Sequence, residues 1–141
     1  GGGGLICGIG AVLNERRDRP RLIGVQSEAS AFAFQVINTG SQDGVIESES
    51  IAEGLAGEID HESITIPLMQ KYVDDVILVT EEQIKEAIRY AWRTYREIIE
   101  GSAAVGIAAR LAGKIQLSPA LTVITGGNIQ PELLHTIISE K

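Results

Sequence analysis

Apolar residues recur along the chain in two rhythms: stripes at helical spacing, and short unbroken runs. Leu5, Ile6, Ile9, Val12 and Leu13 form the first stripe and predict a helix from Leu5 to Glu15, closed by Asp18-Arg19-Pro20. Leu22 to Val25 is a short, almost wholly apolar run and reads as a strand. Ser27-Glu28-Ala29-Ser30 opens a second helix, which passes through Phe32 and Phe34 to about Ile37 and stops at Asn38-Thr39-Gly40. Ser41 to Ser50 is polar and reads as a surface loop. Ile51 to Gly57 mixes apolar residues with glycine, and reads either as a packing turn or as part of a site lining. Thr65 to Tyr72 fits a short helix with Ile66, Met69 and Val73 on one face and Pro67 in its first turn.

The pattern sharpens at Val76-Ile77-Leu78-Val79, a compact strand. Thr80-Glu81-Glu82-Gln83 then reads as a capping box, with both glutamates favouring the positive helix end. The helix it opens runs to about Glu97 and offers Ile84, Ala87, Ile88, Ala91, Trp92 and Tyr95 as its buried face. Glu100-Gly101-Ser102-Ala103-Ala104 begins a helix rich in Ala and Gly that ends near Ala112-Gly113. Leu121-Thr122-Val123-Ile124 predicts a third strand, with Thr125-Gly126-Gly127-Asn128 at its C-terminal end. A last helix starts near Pro131. Helices alternating with apolar strands predict an α/β fold, a three-layer open and mostly parallel sheet flanked by helices.

With 141 residues, 44% of them hydrophobic, the chain has enough apolar surface for one domain with a core. Its 19 acidic and 12 basic residues give a net charge of -7, which argues against general nucleic-acid binding. Cys7 stands alone, so no intrachain disulfide is available, and burial as a small apolar residue suits it better than nucleophilic work. No apolar run reaches membrane-spanning length. These features fit a cytoplasmic protein.

The opening stretch Gly1-Gly2-Gly3-Gly4-Leu5 carries the first candidate chemistry. A glycine turn running into a helix points successive N–H groups at an anion. The same glycines also fit a flexible tag. In open α/β sheets ligands bind beyond the C-terminal ends of the strands, where Thr125 to Asn128 would sit. Glu100, at a helix start, is a third candidate, with a surface glutamate and a helix-capping Ser102 as the plain alternatives.

The glycine loop, the segments Ile51-Ala52-Glu53-Gly54-Leu55, Val73-Asp74-Asp75-Val76, Val79-Thr80-Glu81-Glu82 and Glu100-Gly101-Ser102-Ala103, and the turn Thr125-Gly126-Gly127-Asn128 occur in a shared order. That order resembles fold type II pyridoxal-phosphate enzymes, in particular the serine/threonine dehydratase branch that includes threonine deaminase and serine racemase. The likeness spans essentially the whole chain. It implies a partial fold like that of the tryptophan synthase β chain, with residues 1–141 as the C-terminal part of a large cofactor-binding domain whose N-terminal half is absent. It also implies roles. Gly1, Gly2, Gly3 and Gly4, with Leu5 at the helix start, hold the cofactor phosphate. Thr125 meets the pyridine nitrogen, and Gly126, Gly127 and Asn128 shape the turn beside it. Glu100 and Gly54 lie near the ring. The activity implied is β-elimination of L-threonine to 2-oxobutanoate and ammonia.

The departures from that pattern matter as much. The family's lysine, which binds the cofactor and removes the α-proton, sits on the N-terminal side of the glycine loop, and Lys71, Lys85, Lys114 and Lys141 all lie outside such a motif. The chain by itself is therefore not expected to be an active dehydratase. Some relatives hold a divalent cation after the strand matched here by Ile23-Gly24-Val25. Here Gln26 stands at the first carboxylate position and Glu28 alone is a poor ligand set, so no metal is expected. His61 and His135 read as surface residues. The resemblance implies an amino-acid substrate, a homo-oligomer, and a missing half or complementary chain whose absence exposes an apolar face. Two alternatives stay open: an inactive fragment with a binding or structural role, and a related reaction such as racemisation, threonine synthesis or β-replacement.

Overall fold

The structure is a computed structural model and describes residues 1–140; Lys141 lies outside the described residues. Six α-helices and two strands follow one another as α1 (Gly4–Asn14), β1 (Ile23–Ser27), α2 (Phe32–Thr39), α3 (Thr65–Tyr72), β2 (Asp75–Val79), α4 (Glu81–Tyr95), α5 (Gly101–Leu111) and α6 (Pro131–Ser139). Short 3-10 turns at Glu28–Ser30 and Glu53–Leu55 join them. The strands pair in parallel, with Ile23 opposite Asp75 and Ser27 opposite Val79.

Two cores lie on opposite faces of this sheet and make three layers. On one face Cys7 of α1, Phe32 of α2 and Met69 of α3 pack with Val76 of β2. On the other, Val79 meets Ile84, Ala87 and Ile88 of α4, Ala104 and Ala108 of α5, and Ile137 of α6. The alanines of α5 let it lie close against α4, since a small side chain allows near approach of two helix axes. The expected α/β architecture with a parallel sheet between helical layers is what the chain adopts.

The local signals act as their chemistry requires. Thr80 Oγ1 accepts from Gln83 N–H at 3.2 Å and Gln83 Oε1 accepts from Thr80 N–H at 3.0 Å, a complete capping box. Gly40 closes α2, its N–H donating to Val36 O at 2.9 Å. Cys7 is buried, and that burial pushes its thiol pKa up.

Five expectations need correction. The second helix does not run on from Ser27: Ser27 Oγ caps a 3-10 turn by accepting from Ala29 N–H, and α2 begins only after Ala31. α4 ends at Tyr95, where Arg96 takes a left-handed conformation, and Tyr95 is 62% exposed rather than part of the buried face. The same helix also buries Arg89. The apolar stripe of α1 faces the core only in part: Ile6 packs against it beside buried Cys7 and Gly10, whereas Leu5 and Val12 are 59% and 71% exposed. Leu121 to Ile124 forms no strand, because no strand lies beside it.

The loop between α2 and α3 is polar but firmly held. Buried Gln42 exchanges hydrogen bonds with the backbone of Ile59, its Nε2 donating to Ile59 O and its Oε1 accepting from Ile59 N–H at 3.0 Å. Glu47 accepts from Ser30 Oγ at 2.8 Å and from Gly57 N–H at 2.7 Å, and these bonds lower its pKa.

Candidate functional site

Parallel strands place their C-terminal ends on one side, and the helices that follow begin there. The candidate residues of the sequence converge on this rim. Gly3 is the N-cap of α1 at φ 80°, the left-handed region that glycine enters freely. The first helical bond runs from Cys7 N–H to Gly3 O at 3.0 Å, so the N–H groups of Gly4, Leu5 and Ile6 have no intrahelical partner. No side chain caps them, and no acidic residue occupies the first turn. Gly2 and Gly4 leave open space where a Cβ would stand. These residues fit an anionic group such as a phosphate, because donors, helix dipole and clear space coincide.

Direct contacts tie this loop to the other candidates. The Gly1 nitrogen donates to Leu55 O, beside Gly54. Gly54 N–H donates to Ser102 Oγ at 2.9 Å. Ser102 lies in the first turn of α5, whose N-cap is Glu100. Glu100 N–H donates to Gly126 O at 3.1 Å, and Glu100 Oε2 accepts from Asn128 N–H at 3.0 Å. Gly126 packs against the Glu100 carboxylate so closely that no Cβ fits there. Gly1, Gly54, Glu100, Gly126 and Asn128 thus belong to one continuous chain of contacts. Thr125 adjoins it in sequence, with an exposed side chain.

Ser102 and Glu100 are not used as the plain alternatives had them. Ser102 does not cap α5; its hydroxyl secures Gly54. Glu100 is half-buried and holds the 126–128 turn. The sequence reading gave Glu81 no bridging role. Glu81 accepts from Ser27 Oγ at 2.6 Å, Ser50 Oγ at 2.7 Å and Ile51 N–H at 2.7 Å. It joins the end of β1 to the start of the segment that carries Gly54. Its place in a capping box and in the motif Val79-Thr80-Glu81-Glu82 carried no signal of contacts with positions 27, 50 and 51.

Among the described residues, three lysines each have a neighbour. Lys71 Nζ lies 5.0 Å from the Tyr72 ring centroid, Lys85 pairs with Glu82 at 3.6 Å, and Lys114 Nζ donates to Leu78 O at 2.7 Å. Among the described residues no three of His, Cys, Asp and Glu gather as a metal cluster. Gln26 is buried and turns its Oε1 to Phe34 N–H at 3.1 Å, at the start of α2. His61 is exposed and sits 3.1 Å from Glu58, and His135 is exposed. No described helix is long and apolar enough to cross a membrane.

Comparison with known proteins agrees with this fold. L-threonine ammonia-lyase of Thermotoga maritima is 32% identical over 142 residues, covering 99% of this chain and 35% of the relative. The processed form of threonine deaminase isoform 2 from Solanum lycopersicum superposes with a TM-score of 0.84 at 27% identity, over 99% of this chain and 39% of that one. A threonine deaminase from T.th. superposes with a TM-score of 0.80 at 26% identity, over 92% of this chain and 48% of that one. The chain spans well under half the length of the curated relatives it matches, 42% and 35% in two of them. A sequence profile described as "Pyridoxal-phosphate dependent enzyme" matches residues 1–126, and the chain therefore belongs to the pyridoxal-phosphate dependent enzyme family.

Proposed function

We propose that this chain is part of a pyridoxal-phosphate-dependent serine/threonine dehydratase that converts L-threonine to 2-oxobutanoate and ammonia by β-elimination. In this reading it is the C-terminal portion of the cofactor-binding domain. The observation that carries it is the joined rim, where the glycine loop with its free N–H donors connects through Gly54, Ser102 and Glu100 to the Thr125–Asn128 turn.

When bound, pyridoxal phosphate supplies the electron withdrawal that makes the α-proton of an amino acid acidic. Gly1 to Gly4 and the first turn of α1 hold its phosphate, with Leu5 starting the helix whose dipole favours the negative charge. The Thr125 hydroxyl would hold the pyridine nitrogen. A hydroxyl there would protonate that nitrogen far less than a carboxylate and would leave the group a modest electron sink. Elimination tolerates this because the leaving hydroxyl takes the electron pair with it. Glu100 keeps the turn in place, and Gly54 leaves the rim open beside the loop. The proton-abstracting lysine comes from the remainder of the enzyme, since Lys71, Lys85 and Lys114 lie outside any motif that suggests that role.

The test has two parts. The complete polypeptide, given L-threonine without added thiol, is expected to release 2-oxobutanoate and ammonia in equal amounts. Recovery of D-serine from L-serine without ammonia would instead assign racemisation. For the chain itself, the phosphorus resonance of pyridoxal phosphate is expected to shift on titration with this protein and not with the Gly3→Ala variant. No ammonia and no shift would overturn the proposal.

A further inference from the structure

Three donors converge on one carboxylate behind the rim. Glu81 Oε1 accepts from Ser27 Oγ at 2.6 Å and from Ser50 Oγ at 2.7 Å, and Oε2 accepts from Ile51 N–H at 2.7 Å. The start of α4 does not require these bonds, because Thr80 and Gln83 complete its capping box without the Glu81 side chain. A carboxylate suits the position: it only accepts, at two oxygens, so all three donors are satisfied at once. An amide of the same size presents one accepting and one donating end and cannot serve all three.

The three bonds lead to different places. Ser27 closes β1 and caps the 3-10 turn that follows by accepting from Ala29 N–H at 3.1 Å. Ser50 and Ile51 open the segment that carries Gly54. Ser50 Oγ accepts from Ala52 N–H at 3.0 Å, Ala52 is buried, and Ala52 O accepts from Leu55 N–H at 2.9 Å. Ile51 O lies so near Gly101 that a Cβ placed there would meet it at 2.1 Å. The Glu53–Leu55 turn is thereby fixed at its entry. Its exit reaches the glycine loop, where Leu55 O accepts from the Gly1 nitrogen. A segment this short, held at both ends, passes a displacement at Ser50 or Ile51 on to Gly54 and Gly1.

We propose that Glu81 is a positioning residue for the candidate site: through Ser50 and Ile51 it holds the Glu53–Leu55 turn against the glycine loop and so sets the loop's grip on a phosphate. The inference rests on the cofactor reading for the identity of that phosphate, and on the contacts alone for the path. Ser27 braces the same carboxylate from β1 and lies off that path.

The experiment compares Glu81→Gln, Ser50→Ala and Ser27→Ala in this chain. Three quantities are read: the dissociation constant of pyridoxal phosphate from its phosphorus resonance, the amide resonances of residues 2–6 and of Gly54, and the urea midpoint. Glu81→Gln and Ser50→Ala are expected to weaken pyridoxal phosphate at least about tenfold, the scale of one charge-assisted hydrogen bond, and to move the loop and Gly54 amide resonances together. Ser27→Ala is expected to lower the urea midpoint more than Ser50→Ala does, because Ser27 is buried and also caps a turn, yet to keep affinity within about twofold of native. Affinity that falls in step with the urea midpoint across the three variants overturns the proposal, since a merely structural clasp acts through stability. So do loop amides that stay in place in both Glu81→Gln and Ser50→Ala. Where Glu81→Gln fails to fold, Ser50→Ala, at a half-buried position, carries the comparison. A native chain that leaves the phosphorus resonance unmoved removes the cofactor reading, and the loop amides then decide the role of Glu81 by themselves. Native binding with an affinity that no variant changes keeps the cofactor reading and removes the role of Glu81.

Discussion

Gly3 stands at φ 80°, and a Cβ placed on it would lie 2.7 Å from Met69 Sδ. Both facts penalise any side chain, although the methionine is flexible enough to yield. Gly3→Ala is therefore expected to cost about 1–2 kcal/mol, mostly from the left-handed backbone, read as a lowered urea midpoint at unchanged slope. The sequence pointed to Gly3 as one of four similar glycines and had no means to rank them, because the neighbour that makes it hard to replace is Met69, far along the chain. Glu100 makes the complementary case. Its carboxylate accepts from Asn128 N–H, a charge-assisted bond at a half-buried site. Glu100→Ala is expected to cost about 1 kcal/mol and to speed amide exchange at Asn128, whereas Glu100→Gln keeps an acceptor and stays near the native rate. The residue was legible as a site candidate. Its task was not, since only the folded chain brings position 100 to position 128.

At the scale of elements, side chains that bridge two of them decide how they dock. Arg89 of α4 donates to Ile137 O at 2.9 Å, to Glu82 at 2.9 Å, to Glu86 at 3.2 Å and to Glu140 at 2.8 Å. The carboxylates raise its pKa, Glu82 first, so it remains charged throughout. Its side chain is 7% exposed while those of its acidic partners are 47% to 66% exposed. The partners can rehydrate once it is gone. Arg89→Met is thus expected to cost about 1–2 kcal/mol, mainly from leaving the Ile137 carbonyl without its donor, and to open α6 to proteolysis before the rest of the chain.

Asp74 performs a similar service between the starts of β1 and β2. It pairs with Arg19 at 2.7 and 2.8 Å and accepts from Leu22 N–H at 2.7 Å. The Arg19 hydrogen bond is the largest cause of its lowered pKa. A depressed carboxylate stabilises the fold fully above its unfolded value, about 4, and loses that contribution as pH falls through the folded value. Asp74→Asn is expected to be less stable than the native chain at pH 7, with the gap closing below about pH 4, as followed by thermal melts across pH. The capping box of α4 and the Gly40 stop of α2 were legible at this scale because caps are local. These bridges were not, because each depends on which elements become neighbours.

For the whole molecule, the informative feature is apolar surface that the chain leaves uncovered. Val12 is 71% exposed and sits with Leu5 on the outer side of α1. Val12→Gln is expected to shift unfolding free energy by no more than about 0.5 kcal/mol, as for other exposed positions. It is also expected to reduce concentration-dependent self-association, checked by sedimentation velocity. The periodicity of α1 was read correctly, but a stripe at helical spacing says only that a face is to be buried, not by what. By itself the sequence determined what local physics controls: the capping box of α4, the alternation that makes an α/β chain, the absence of any disulfide, and the glycine loop with its ordered companion motifs. Tertiary structure alone decided which of those motifs touch, that Glu81, Arg89 and Asp74 act as clasps, and that Leu121–Ile124 remains unpaired. The division has one cause. Propensity and capping act over a few residues, whereas strand pairing and side-chain bridges join positions dozens of residues apart, whose meeting depends on every intervening crossover.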